Sequence, residues 1–196
     1  MSVAPPRYPG VGATKRDPAD WPAGFRRLRM RVRLGSGGGD FGAAARAVLT
    51  WRLHRAAGVV VETDAARAAP GVRVTVGLGL GALRVYAPCE VVWAVEGERS
   101  AGWAYGTLPG HPVRGEEAFL VSQDADGAVW LEVLAFSRPA TWWTVAAGPL
   151  LPVFQRWYAR WCGRCLRRLV EAEASKEGTE NGTARRGRRR HGSRGR

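Results

Sequence analysis

Residues 105–119 read YGTLPGHPVRGEEAF and place His111 between Pro109 and Pro112, shortly before the paired carboxylates Glu116 and Glu117. An imidazole titrates near neutrality and can give or take a proton, and a neighbouring carboxylate can orient its ring. His111 with Glu116 or Glu117 is therefore the candidate acid–base set of an enzyme, hydrolase- or cyclase-like in class. Arg138, within FSRPA (136–140), can clamp a carboxylate or phosphate. If the loop is instead the rim of a binding site, the candidate ligand contacts are Trp103, Tyr105, His111, Ser137, Arg138 and Trp157. A structural reading stands beside both. Gly106, Pro109, Gly110, Pro112 and Gly115 make a rigid connection by their own chemistry, with His111 and the glutamates bracing it by hydrogen bonds.

Other chemistry finds less support. No Ser-His-Asp order or G-x-S-x-G elbow is present. One His and two adjacent Glu, without a second His at i+4 or a cysteine cluster, make no metal set, and no cofactor is expected. CGRC (162–165) lies mid-helix rather than at the helix N-terminus that lowers a thiol pKa, so packing is its expected role. VGLGLGAL (76–83) has G-x-G-x-G spacing but no following helix and no acidic partner in a βαβ unit, so a flexible strand or bulge is expected. Nine Trp in 196 residues imply a large aromatic core or an aromatic-lined cavity.

Composition bounds the setting. A hydrophobic content of 45% excludes wholesale disorder. No apolar run reaches the length of a membrane span, and the N-terminus lacks the pattern of a secretory signal. Three cysteines are too few for a disulfide framework, which makes a reducing cytoplasm the expected compartment. Of the formal net charge of +13, residues 175–196 supply +6 from seven Arg and one Lys against two Glu. That tail is expected to be disordered. Arg185, Arg186, Arg188, Arg189 and Arg190 are its candidate contacts to nucleic acid or another anionic surface, alongside the alternative of a plain solvated extension.

The elements that must position the candidates follow from periodicity. Residues 1–24 form a Pro-rich arm, 25–174 one domain, and 175–196 the tail. In 25–35, Leu28, Met30, Val32 and Leu34 alternate with Arg27, Arg29, Arg31 and Arg33, which predicts a half-buried strand. Asp40 as N-cap, Gly58 as C′ and an apolar stripe through Phe41, Ala44, Ala45, Val48, Leu49 and Leu53 predict a helix over 41–57. Short β-type runs follow at 59–63, 72–78, 83–87, 90–96, 100–108, 116–123 and 128–137, an antiparallel meander of about seven strands. A long amphipathic helix, weakened locally by Gly163, closes the chain. The class is α+β: strand, helix, meander, long C-terminal helix. This order resembles the helix-grip fold of the START and Bet v 1 superfamily, whose members bind hydrophobic molecules and sometimes act on them.

Several segments carry a more specific resemblance: YPGVGAT (8–14), AVLTWRLHRAAGV (47–59), APCEVVWAVE (87–96), GWAYGTLPGHPVRGEEAF (102–119), AFSRPATWW (135–143) and GPLLPVFQRW (148–157). Together they resemble the family known as domain of unknown function 1990, over roughly residues 8–170. The resemblance implies no reaction. The leading expectation is a cavity between curved sheet and last helix that binds a hydrophobic or amphipathic small molecule.

Overall fold

A computed structural model describes residues 5–6, 8–79, 81, 84–148 and 150–191, with side chains described to Lys176. Its elements are β1 (Arg26–Ser36), α1 (Gly37–Leu49), α2 (Arg52–Ala56), β2 (Val60–Glu62), β3 (Arg73–Leu78), β4 (Val85–Glu96), β5 (Ser100–Thr107), β6 (Val113–Gln123), β7 (Ala128–Pro139), α3 (Trp142–Ala146) and α4 (Leu150–His191). Their sheet has seven strands in the order β1-β7-β6-β5-β4-β3-β2, antiparallel throughout. Short connections permit only this meander, and β1 closes it by pairing with β7. The Arg-rich tail lies, from residue 177, outside the residues whose side chains are described.

The sheet buries its inner face under α1, α2 and α4. Side chains alternate across a strand, so Trp103, Phe119, Val121, Leu131 and Val133 enter a core shared with Ala159, Cys162, Leu166 and Val170 of α4. Both CGRC thiols are buried there. Part of the outer face is covered by the N-terminal arm, whose Tyr8 and Trp21, with Phe25 just after it, surround Phe136 of β7.

Several elements differ from the expected ones, the short α3 among them. The runs expected at 83–87 and 90–96 merge into one strand, β4, from Val85 to Glu96. Pro88 removes one donor but does not end pairing, because Ala87 opposes Val76 and Cys89 opposes Val74 on either side of it. The helix expected over 41–57 starts at Gly37 and breaks at Thr50–Trp51. Asp40 accepts a hydrogen bond from the Ser36 backbone N–H at 2.9 Å. Trp51 adopts φ 65°, a left-handed conformation costing a non-glycine residue about 1–2 kcal/mol. Offsetting this, its indole is buried, packs 4.8 Å from the Trp103 ring and donates to the Ala65 carbonyl at 2.9 Å.

Gly163 has a packing reason. A Cβ there would stand 2.8–2.9 Å from three side-chain atoms of Val32, a stiff β-branched residue of β1. Gly163→Ala gains about 1 kcal/mol of helix propensity and loses about 1–3 kcal/mol to overpacking. A net loss of stability is expected in urea unfolding. A stabilised variant would show that α4 does not seat this closely on β1.

Candidate functional site

Between the inner face of the sheet, α2, α3 and the first turns of α4 lies a cavity of about 450 Å³. Its walls are largely apolar, with Val76, Leu78, Val85, Leu150, Leu151 and Phe154 among them. The polar side chains on the wall include His54, Tyr105, His111, Glu117, Ser137 and Tyr158.

Period two decides which groups of β5, β6 and β7 enter. Tyr105 opposes Glu117 and Glu117 opposes Ala135, so these three share the inner face. The Tyr105 hydroxyl donates to Glu117 Oε2 in a short hydrogen bond. Burial raises the Glu117 pKa above the usual carboxyl value, and the Tyr105 bond acts against that rise. Burial also pushes Tyr105 and Tyr158 well up.

One residue earlier, Glu116 points to the opposite face. Its carboxylate accepts from the Tyr8 hydroxyl at 2.9 Å, the Gly12 N–H at 2.6 Å, the Thr14 N–H at 2.9 Å and the Thr14 hydroxyl. Glu116 thus locks the N-terminal arm to the sheet, and Gly106 leaves room for it. A Cβ on Gly106 would fall 2.1 Å from the Tyr8 hydroxyl.

His111 stands in the turn that enters β6. The His111 N–H donates to the Leu108 carbonyl at 3.1 Å. Pro109 and Gly110, the latter at φ 94°, occupy the central positions that a type II turn favours for these residues. Its Nδ1 lies 3.1 Å from the Val113 nitrogen and 2.8 Å from the Val113 oxygen. Burial lowers its pKa to about 4. The ring is therefore neutral at neutral pH and is held by backbone, while the carboxylates of Glu116 and Glu117 bond elsewhere.

The remaining candidates separate. Ser137 is on the wall, and its hydroxyl accepts from Gln155 Nε2 at 3.0 Å. Arg138 shares the loop's end of the sheet but turns outward, its guanidinium 5.0 Å from the Phe25 ring centroid. Trp103 is fully buried behind the wall, where its indole donates to the Val48 carbonyl at 3.0 Å. Trp157 is 54% exposed and stands parallel to Trp161 on the outer side of α4. It does not line the cavity, whereas Leu150, 70% exposed, does. The Gly-rich stretch 76–83 ends β3 and leads toward β4; Gly79 lines the cavity, and residues 80, 82 and 83 lie outside the described ones. Among the described residues no cluster of three or more His, Cys, Asp or Glu could hold a metal, and no helix is long and apolar enough to cross a membrane.

His54 is the residue the sequence pattern hid. It is fully buried, lines the cavity, and packs its ring 4.6 Å from Phe119 and 5.2 Å from Trp103. Neither ring nitrogen has a hydrogen-bond partner among the described residues, and burial lowers its pKa to about 4. At about 100° per residue, an unbroken helix from Phe41 would carry His54 to the side opposite the apolar stripe. The break at Trp51 turns it inward.

Comparison with known proteins agrees with this architecture. A UPF0548 protein of Deinococcus radiodurans is 46% identical over 81 residues, 41% of each chain. A UPF0548 protein of Arabidopsis thaliana is 33% identical over 94 residues, 45% of this chain and 46% of the relative. The matched segments thus span less than half of these relatives. Among solved structures, that of Ara h 8.0201 is similar with a TM-score of 0.52 at 12% identity, covering 76% of this chain and 99% of that one. A point mutant of Thalictrum norcoclaurine synthase, in complex with a transition-state analogue, gives 0.52 at 11%, covering 76% and 95%. At such identities the likeness establishes the fold alone, a helix-grip arrangement of Bet v 1 type. Residues 7–165 match the domain of unknown function (DUF1990), and with most of its length inside that match the chain belongs to the DUF1990 family.

Proposed function

We propose that the protein binds a hydrophobic or amphipathic small molecule in the cavity beneath α4. The observation that carries this reading is the cavity itself, about 450 Å³ behind largely apolar walls in a protein whose remaining core is tightly buried. Small-molecule sites have this size and make-up, with a few placed polar groups among apolar walls. Interiors otherwise pack like organic crystals, so a void of this volume next to the main core helix has the form of a site rather than of a packing fault. Leu150, exposed to solvent, carries the apolar wall out to the surface. His111, Ser137 and Gln155 supply polar contacts along the wall.

Diphenylhexatriene, a neutral fluorescent hydrocarbon, tests the reading. Wild-type protein is expected to take it up with saturable fluorescence gain. Ala87→Phe, which adds a ring from the wall of β4, is expected to weaken that uptake at least about tenfold, the effect of roughly 1.4 kcal/mol. Undiminished uptake by a folded Ala87→Phe variant would place the dye elsewhere and count against the cavity.

A further inference from the structure

One carboxyl group on the cavity wall has no counter-ion among the described residues. No Lys, Arg or Asp lines it among the described residues. Of its two glutamates, Glu116 turns its carboxylate to the opposite face and there accepts from Tyr8, Gly12 and Thr14. Glu117 keeps its carboxylate inside, half-buried against the cavity, with Tyr105 as hydrogen-bond donor. The titratable groups facing it are Tyr105 on β5, Cys89 on β4, and Tyr158 and Cys162 on α4, and burial pushes each of these upward, away from ionisation. His54 and His111 also line the wall, and both become cations only near pH 4.

A carboxylate removed from water is costly unless a cation or several donors meet it. Glu116 shows the usual solution with donors from three residues. Among the described residues Glu117 has one donor, Tyr105, and it lines an apolar space large enough for a ligand. We infer that the cavity's ligand is an amphipathic cation, an apolar or aromatic body bearing an amine whose ammonium pairs with Glu117. This rests on the small-molecule reading above and names the ligand's chemistry. The ammonium supplies the missing charge-assisted hydrogen bond, Tyr105 holds the carboxylate on the inner face, and the apolar walls take the body. An anionic ligand would meet like charge, and a neutral one would leave the carboxylate without a countercharge.

The pH dependence has a definite sign. Burial holds the Glu117 carboxyl above the ordinary value, so on acidification it takes up a proton early and loses its hold on the ammonium. The alcohol analogue of the same ligand has no such dependence. Between about pH 5 and 8 the neighbouring tyrosines, cysteines and histidines stay neutral, so the change reports Glu117.

Calorimetry with three ligands sharing one body provides the test: 2-(1-naphthyl)ethylamine, 2-(1-naphthyl)ethanol and 1-naphthaleneacetate, against the full chain and Glu117→Gln. The amine is expected to bind wild type about ten- to a hundredfold tighter than the alcohol. That advantage shrinks as pH falls and disappears in Glu117→Gln, while the alcohol's affinity stays constant. The wild-type series and its pH profile stand alone if the variant folds poorly. The inference is overturned if alcohol or acetate binds wild type as well as the amine, or if Glu117→Gln keeps the amine's advantage. If none of the three binds while diphenylhexatriene does, the cation inference fails and the cavity survives. If diphenylhexatriene also fails to bind, both fall.

Discussion

Glu116→Ala will lower stability by about 3–5 kcal/mol, and Glu117→Gln, one residue along the same strand, will raise it at pH 7. The first removes the shared acceptor of Tyr8, Gly12 and Thr14 and leaves their donors unsatisfied under the arm. Trp21 of the arm and the adjoining Phe25 then lose part of their seat on Phe136. The second removes a carboxyl group whose ionised form burial disfavours. Glu117's folded pKa lies above its unfolded one, so the native chain holds the proton more tightly. Its contribution is therefore fully favourable below the unfolded value and is lost as pH rises through the folded value. Glutamine has no charge to desolvate and still offers Tyr105 an acceptor. Urea unfolding of both variants at pH 7 checks the pair; losses of similar size would mean that the two carboxylates occupy similar environments.

His54→Leu is expected to stabilise the protein and to flatten its response to acid. A buried imidazole with neither nitrogen bonded to a described residue carries a desolvation penalty of about 1–3 kcal/mol, and leucine fills similar space beside Phe119 and Trp103. The folded pKa of His54 is near 4, against an ordinary value of 6.5. Its unfolded form therefore takes up a proton first, and stability present above pH 6.5 is lost as pH falls toward 4. Complete passage through that window is on the order of 3 kcal/mol. His111 contributes with the same sign in both proteins, and Glu117 with the opposite sign just above its unfolded value, so the difference between wild type and variant isolates His54. Unfolding free energies at pH 7 and pH 5 should separate further at the lower pH. A variant less stable at pH 7, with a parallel acid loss, would show that the His54 nitrogens are hydrogen-bonded in solution.

Much of this was legible in the sequence because it depends on local periodicity. Alternation in 28–34 marked β1 and its basic outer face, and the three- and four-residue spacing in 154–169 marked the helix that covers the sheet. Pro109 and Gly110 announced a turn, and a turn holds His111. Alternation also implies that Glu116 and Glu117 face opposite ways. It does not say what covers each face, since the partners of Glu116 lie more than a hundred residues earlier in the arm. Ser137 and Arg138 divide by the same rule, which placed Ser137 on the wall and Arg138 over Phe25. His54 was illegible for a different reason. Its inward position depends on a left-handed Trp51, and tertiary packing against Trp103, rather than any turn residue, holds that conformation.

Native mass spectrometry of freshly purified protein, set beside the same sample after denaturation and solvent extraction, tests the central claim most directly. The cavity account predicts a reproducible adduct that is lost on denaturation, recovered in the extract as one small amphipathic compound, and diminished in Ala87→Phe. A bare mass, together with failure of wild-type protein to take up diphenylhexatriene, would contradict it.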